Sequence, residues 1–265
     1  MKKYAGLVPL ISLLAAFLIV PLIFMLLSSF QSDQTGTWTM TNYTEFFSNS
    51  YYYQAFFNSL LITMVSCILG LTGAMVLCIC LLQLSEKTQE KITFVSNLAA
   101  NFAGIPLAFS FIILLGNAGV MKLIMPSLQA FDLYSWWGLG LTYVYFQIPL
   151  GVLFLYPSMR ELKKEWAEVS ATLGTTSFYY WRKVALPFLR PSLITTFIIL
   201  FANGMGTYET AYALTGSNVN LLTVRIASLV SGDVFAKPNM GSALAVLFGL
   251  MMITLMSIVG RKEKK

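Results

Sequence analysis

The 265-residue chain is too apolar for an ordinary soluble domain, with 57% hydrophobic and only 11% charged residues, where soluble domains carry roughly a quarter charged residues. Its mean hydropathy is +0.72 and its net charge is +6. A basic soluble protein would point to nucleic acid, but in a membrane protein such an excess reflects cytoplasmic Lys and Arg. The chain has no histidine, and Cys67, Cys78 and Cys80 are not spaced for a disulfide framework or a zinc site.

Six apolar stretches are long enough to cross a membrane, since a helix that spans about 30 Å of hydrocarbon needs about 20 residues. We predict spans at about 7–29, 57–83, 92–115, 136–158, 191–214 and 239–260. The first stretch, MKKYAGLVPLISLLAAFLIVPLIF, is too long for a cleaved signal peptide and is predicted to be an uncleaved span. Pro106 is expected to kink or interrupt the third span, and Pro149 the fourth.

The basic residues orient these spans. With the N-terminus inside, all but Lys122, Arg225 and Lys237 of the 17 Lys and Arg residues fall in cytoplasmic segments. They include Lys2 and Lys3 at one end and Lys262, Lys264 and Lys265 at the other. The positive-inside rule therefore predicts an all-α polytopic protein with both termini cytoplasmic, and we treat residues 1–265 as a single membrane domain.

The sequence lacks the common catalytic patterns. It has no GxxxxGK[ST] loop for a nucleoside triphosphate, and no HExxH or GxSxG motif. The spans hold one clear acidic candidate, Glu209, and no histidine. We therefore expect a membrane subunit that is not an enzyme. An ion-coupled secondary transporter, which usually needs charged or broken-helix sites near the midplane, is the alternative class.

The segment 159–190, between the fourth and fifth spans, is long and has its own periodicity. One helical face is predicted from the spacing of its apolar residues, which are Leu162, Trp166, Val169 and Leu173. Gly174 should end this helix in the left-handed conformation, and the hydroxyls of the following TTS can cap a second one. That second helix, about 178–185, is expected to stop before Pro187, and Pro191 suits the first turn of the fifth span. The alternative interpretation is an amphipathic helix lying on anionic lipid, which would account for the charged residues but not for the order E-x5-G-x11-LP.

The stretch EVSATLGTTSFYYWRKVALP resembles the EAA loop of binding-protein-dependent ABC importer permeases, whose pattern runs E-A-A-x3-G and then x9-I-x-L-P. Glu168, Gly174, Leu186 and Pro187 occupy their places in this pattern. Val169 and Ser170 replace the two alanines, and Val184 stands where the isoleucine would be. The six spans, the position of the loop and the chain length also fit the family.

The resemblance implies a mechanism and a set of partners. The loop would form a coupling helix that docks on a cytoplasmic ATPase dimer, with Glu168, Ala171, Gly174, Leu186 and Pro187 as the coupling residues. ATP and magnesium would bind the ATPase, and this chain would hold no cofactor. A second permease, which we expect to be a non-identical homologue, and an extracytoplasmic solute-binding protein would complete the importer in a bacterial cytoplasmic membrane.

The fifth span is unusually polar in its second half, which predicts a water-filled path or polar packing against the second permease. We place the substrate path there, at Asn203, Tyr208, Glu209 and Tyr212. The stretches YFQIPLGVLFLYPSM and TYETAYALTG resemble the branch of permeases that handles spermidine and putrescine, iron(III), thiamine or phosphonates. Because Glu209 and the tyrosines suit a cationic amine, a polyamine is the first expectation, with the other cargoes of this branch or a sugar as alternatives.

Overall fold

A computed structural model describes residues 8–232 and 236–261 of the chain. The terminal lysines on which the predicted orientation partly depends, Lys2, Lys3, Lys262, Lys264 and Lys265, lie outside the described residues. In the described part the chain is almost wholly helical, and the pairing of Gln31 with Trp38 is an isolated antiparallel bridge. The all-α fold class predicted from the sequence is confirmed.

The helices follow one another with short connections. The α-helices are Val8–Leu14, Val20–Ser28, Thr41–Ser48, Ser50–Leu81, Glu86–Asn101, Ile105–Leu115, Val120–Ile124, Trp136–Arg160, Lys164–Thr172, Ser177–Tyr180, Leu186–Gly206, Glu209–Thr215, Leu222–Ser231 and Pro238–Arg261. Two π-helical turns, Ala15–Ile19 and Trp181–Ala185, join α-helices without a break, and Pro126–Leu128 is a 3₁₀ turn.

Six segments are long and apolar enough to span a membrane, as the sequence predicts. They are Pro9–Ser28, Ser50–Leu81, Ile105–Ile124, Trp136–Arg160, Ser177–Gly206 and Pro238–Ile258, and we call them the first to sixth spans. The second begins earlier than predicted because its aromatic start is part of the helix, where Tyr52 is buried beside Phe46 and Leu222. The fourth runs through Pro149 and Pro157 without ending.

The third predicted span, 92–115, differs in its bounds but is interrupted near Pro106, as the sequence predicts. The structure divides this stretch into Glu86–Asn101 and Ile105–Leu115, and Gly104 in the break has φ 77° and ψ −148°. Pro106 lies in the first turn of the second helix, where its missing N–H has no partner to lose. The predicted interruption is therefore confirmed, and Pro106 stands at the start of the helix that follows the break.

The expectation that the chain leaves the helix before Pro187 is wrong. The fifth span is helical from Ser177 to Gly206, through Pro187 and Pro191. The π-helical turn Trp181–Ala185 directly precedes Pro187. A π turn shifts the backbone carbonyls that a proline ring would otherwise meet, so the helix continues past it.

The chain forms two compact units, each with its own core. The first comprises Met1–Asn58 and Asn220–Thr254. Its core is Phe46, Tyr52, Leu222, Leu229, Met240 and Leu244. At its polar edge the Asp33 carboxylate accepts hydrogen bonds from the backbone N–H groups of Asn239 and Met240, at 2.8 and 3.1 Å. Lys237 Nζ lies 3.2 Å from Glu45 Oε1, and this hydrogen bond raises the pKa of Lys237.

The second unit comprises Ser59–Val219 and Leu255–Lys265 and contains both predicted sites. Its hydrophobic core includes Ala74, Cys78, Leu155, Met159 and Leu189. The second and fourth spans approach closely, because a Cβ added at Gly151 would lie 2.7 Å from Ala74 Cβ. Small residues at such a crossing let helix backbones pack together, which fixes the scaffold that holds the sites.

Candidate functional site

The predicted substrate path coincides with an open cavity in the second unit. Asn203, Tyr208 and Glu209 line this cavity, whose volume is about 410 Å³. Its other walls come from Ala103 and Gly104 in the break before the third span, and from Ala202, Gly206, Thr207 and Thr210. Two interrupted helices therefore meet at one polar cavity, since the fifth span also ends here, at Gly206, and a new helix starts at Glu209. Broken helices supply free backbone groups to sites inside membranes.

The two breaks are joined directly. The Gly104 N–H donates to Thr210 Oγ1 at 2.9 Å, and Thr210 Oγ1 lies 3.2 Å from the Gly104 carbonyl oxygen, to which it donates. Thr210 is fully buried. The Glu209 carboxylate lies against the same glycine, because a Cβ built on Gly104 would be 2.6 Å from Glu209 Oε2. The break at Gly104 thus brings backbone and carboxylate together on one wall.

Two tyrosine rings stack on each other at this cavity. Tyr208 and Tyr212 stack with ring centroids 5.4 Å apart and an angle of 20° between their planes. Tyr212 is half exposed and is not among the residues lining the cavity, but it extends the aromatic surface of Tyr208. The hydroxyl of buried Tyr143 donates to the Thr207 carbonyl at 3.2 Å and ties the break at Thr207 to the fourth span. Three of the four predicted path residues therefore line one cavity, and the fourth, Tyr212, stacks on one of them.

The predicted glycine corner of the loop 159–190 is present. Helix Lys164–Thr172 ends with Gly174 at φ 73°, and the N–H groups of Gly174 and Thr175 donate to the carbonyls of Ala171 and Ser170. These two bonds form a Schellman motif. The Ser170 and Thr175 hydroxyls also bond each other across the corner. Thr176 then caps the next helix, accepting from the Tyr179 N–H at 3.3 Å.

The apolar face predicted for this helix is divided between the core and solvent. Trp166 packs edge-on against Phe188 of the fifth span with centroids 5.2 Å apart, and Leu162 packs against the hydrophobic core of the second unit. Val169 and Leu173, farther along the helix, are 57% and 75% exposed. Phe178, just after the corner, is 73% exposed. We call Val169, Leu173 and Phe178 the corner patch.

The coupling residues suggested by the sequence fall into two groups. Glu168, Ala171 and Gly174 are exposed on the helix and its corner, beside the corner patch. Leu186 and Pro187 instead line a groove on the fifth span, together with Arg182 and Arg190. In the described part of the chain there is no cluster of three or more His, Cys, Asp or Glu residues that could hold a metal ion.

Three contributors to the cavity were not singled out from the sequence: Ala103, Gly104 and Ala202. The one available signal was the Gly-Ile-Pro sequence at 104–106, in which a glycine precedes a proline suited to a first helical turn. Ser170 was noted only as a replacement for alanine, whereas its hydroxyl closes the corner with Thr175.

Known proteins are similar to the chain in sequence and in fold. No protein-family model matches the chain. It is 21% identical over 252 residues to the spermidine/putrescine transport system permease protein PotC of Haemophilus influenzae, covering 94% of this chain and 93% of that protein. It is 20% identical over 254 residues to PotC of Escherichia coli K12, covering 94% and 92%. It also superimposes on a chain from the crystal structure of a bacterial ABC transporter involved in the import of the acidic polysaccharide alginate, with a TM-score of 0.78, 14% identity and coverage of 99% and 95%. The fold is that of an ABC importer permease.

A shorter similarity points to the same kind of permease. Over 93 residues the chain is 32% identical to the sulfate transport system permease protein CysT of Salmonella typhimurium, covering 34% of each chain. The resemblance to ABC importer permeases, and to their polyamine-like branch, that the sequence predicts is confirmed by these relatives. The six spans of the chain make it a multi-pass membrane protein.

Proposed function

We propose that the chain is the permease subunit of an ATP-driven importer and forms half of a path for a solute handed over by an extracytoplasmic binding protein. ATP hydrolysis belongs to a separate cytoplasmic ATPase dimer, and the second half of the path belongs to another, non-identical permease. Both termini and the loop 159–190 face the cytoplasm in this proposal, because the basic residues favour that side.

The observation that carries the proposal is the division of the loop helix between an anchored and an exposed part. Trp166 and Leu162 hold one end against the hydrophobic core and the fifth span. The corner patch, with Val169, Leu173 and Phe178, presents apolar surface outside that core. An exposed apolar cluster on a polar helix is typical of a protein interface. A helix fixed at one side and docked at the other can carry motion of the ATPase into the fifth span.

The cavity supports a cationic amine as the cargo. The Glu209 carboxylate supplies an acceptor for an ammonium group, and charge-assisted hydrogen bonds are the strong ones. The stacked rings of Tyr208 and Tyr212 offer faces that attract cations. The PotC relatives, similar over nearly the whole chain, carry spermidine and putrescine in their names and agree with this chemistry. We therefore propose a polyamine as the transported solute.

Affinity isolation of the chain from native membranes, followed by mass spectrometry, tests the proposal. We expect an ABC ATPase, a second permease and a solute-binding protein to be recovered together, and the isolated binding protein to bind a polyamine. In proteoliposomes, uptake should require ATP and the binding protein. Uptake driven by an ion gradient without ATP would instead identify a secondary transporter and contradict the proposal.

A further inference from the structure

A groove on the fifth span combines two arginines with an apolar wall. Arg182, Leu186, Pro187 and Arg190 form one end of this groove, and its volume is about 530 Å³. The wall beyond them consists of Leu71, Leu193, Ile194 and Phe197. No carboxylate lines the groove, and neither guanidinium forms an ion pair within the part of the chain that the structure describes.

The π-helical turn explains why both arginines face the groove. In an uninterrupted α-helix, residues eight positions apart are rotated by about 80° from each other. The extra residue in the turn Trp181–Ala185 removes about 100° of rotation and brings Arg182 to within about 20° of Arg190. A feature that disrupts regular hydrogen bonding thereby aligns two cations along one face.

The groove has charged residues followed by apolar residues along the helix, as a phospholipid has a charged headgroup followed by acyl chains. Arg182 and Arg190 lie in the first half of the span Ser177–Gly206, before the apolar residues that follow Pro191. The apolar wall extends to Phe197, which is about 10 Å farther along the helix at 1.5 Å per residue. A phosphodiester between the guanidinium groups would place an acyl chain along Leu193, Ile194 and Phe197.

We propose that this groove binds an anionic phospholipid, with the phosphate held by Arg182 and Arg190 and an acyl chain on the apolar wall. Charge complementarity favours this occupant, because guanidinium groups bind phosphate oxygens in a bidentate geometry. The two arginines have no ion-pair partner among the described residues, and the apolar residues beside them leave apolar surface uncovered. One phospholipid would cover both, with its phosphate and an acyl chain. The site is separate from the corner patch and does not depend on the proposed cargo.

Native mass spectrometry of the detergent-purified complex, after exchange into lipid-free detergent, tests the site. Phosphatidylglycerol is the probe, with phosphatidylcholine as the neutral comparison. We expect phosphatidylglycerol to be retained by the wild type. Its retention should fall roughly tenfold in Arg182→Gln/Arg190→Gln, the effect of losing a hydrogen bond to a charged group. Lys183→Gln is the matched control, because Lys183 is an exposed neighbour of Arg182 that does not line the groove.

Further variants and competitors distinguish a bound lipid from other occupants of the groove. Ile194→Trp keeps both charges but fills the apolar wall, so it should also reduce retention, and it provides a test if the double variant does not fold. Equal retention in all variants, or equal retention of phosphatidylcholine, would overturn the proposal. So would displacement by inorganic phosphate at millimolar concentration, which would indicate a soluble anion. Loss of the ATPase or the second permease from Arg182→Gln/Arg190→Gln, with unchanged lipid, would identify a protein contact instead.

Discussion

The backbone of Gly104 and the side chain of Thr210, 106 residues apart, are joined by two hydrogen bonds at 2.9 and 3.2 Å. Each residue lies where a helix is interrupted, Gly104 before the third span and Thr210 after the fifth. The fully buried hydroxyl of Thr210 therefore satisfies the Gly104 N–H, which the break leaves without a helical partner, and shares the Gly104 carbonyl with the N–H of Ala108. This link fixes the wall of the cavity against which Glu209 lies.

Gly104→Ala should impair transport beyond its effect on stability. At φ 77° and ψ −148°, a conformation essentially restricted to glycine, alanine costs about 1–3 kcal/mol. Its Cβ would also displace the Glu209 carboxylate, which would be only 2.6 Å away. The matched control is Gly216→Ala, since Gly216 has φ 56° and no atom within 4 Å of an added Cβ. The unfolding temperature should be lower in both variants. Uptake at a subsaturating solute concentration should fall only in Gly104→Ala. Similar uptake in the two variants would contradict a role for this wall.

Thr210→Val should loosen the link while preserving the shape of the side chain. The substitution leaves the N–H and the carbonyl of Gly104 without their bonds to the Thr210 hydroxyl, at a cost of about 1–3 kcal/mol. Thr210→Ser keeps the hydroxyl and should restore most of the loss. Thr215→Val is the control, because that hydroxyl is also buried but bonds only the carbonyl of Ala211 in its own helix. Unfolding temperature and uptake are to be measured together, and the prediction fails if Thr215→Val is as harmful as Thr210→Val.

The sequence predicted local features of this chain better than distant ones. The corner at Gly174 follows from a glycine after a periodic helix and needs only neighbouring residues, so its Schellman motif was predictable. Pro106 indicated an interruption near Gly104, but the bond between Gly104 and Thr210 joins residues 106 positions apart, and no local pattern predicts it. The prediction that a helix stops before Pro187 failed for a similar reason. Its usual effect on the preceding residue is absorbed by the π turn, which a proline rule applied to neighbours does not reveal.

The candidate sites divide in the same way. The polarity of the fifth span located Asn203, Tyr208 and Glu209, which do line one cavity. Another wall of the cavity includes Ala103 and Gly104, from a segment without charged side chains, and Gly104 contributes its backbone to the link with Thr210. Residue types in a sequence indicate side-chain chemistry, whereas a backbone contribution becomes visible only when the fold brings two breaks together.

Glu209→Gln should reduce uptake of a polyamine by roughly tenfold or more, the effect of losing a hydrogen bond to a charged acceptor. The carboxylate is exposed to the cavity, and glutamine has nearly the same shape, so the unfolding temperature should hardly change. Glu165→Gln, on the exposed face of the loop helix, is the control for charge. In competition assays, Glu209→Gln should weaken the inhibition of uptake by cationic solutes and leave the inhibition by neutral solutes unchanged. Unchanged polyamine uptake in Glu209→Gln would argue against a cationic cargo at this carboxylate.

Glu168→Ala and Gly174→Asp should abolish uptake while the protein still reaches the membrane. At φ 73° aspartate is one of the better tolerated residues, and no atom lies within 4 Å of an added Cβ at Gly174. The backbone conformation at position 174 should therefore persist, and the variant should lose uptake because the new charge lies on the docking surface. Gly36→Asp is the matched control, with φ 66° and equally open surroundings in another segment. Uptake, membrane content and bound ATPase are to be measured in each variant. Normal uptake in both loop variants would contradict docking at this corner.

Leu173→Asp should release the ATPase from the purified complex. Leu173 is 75% exposed within the corner patch, so a charge there costs the permease itself little. In a docked interface the same charge would be buried without a partner, which costs several kcal/mol and suffices to dissociate a micromolar contact. Leu84→Asp, at another exposed leucine in a connecting segment, should retain the ATPase. Co-purification and ATP hydrolysis stimulated by the binding protein measure the effect. If Leu173→Asp keeps the ATPase but loses binding to anionic vesicles, the loop helix lies on lipid, and the coupling role fails.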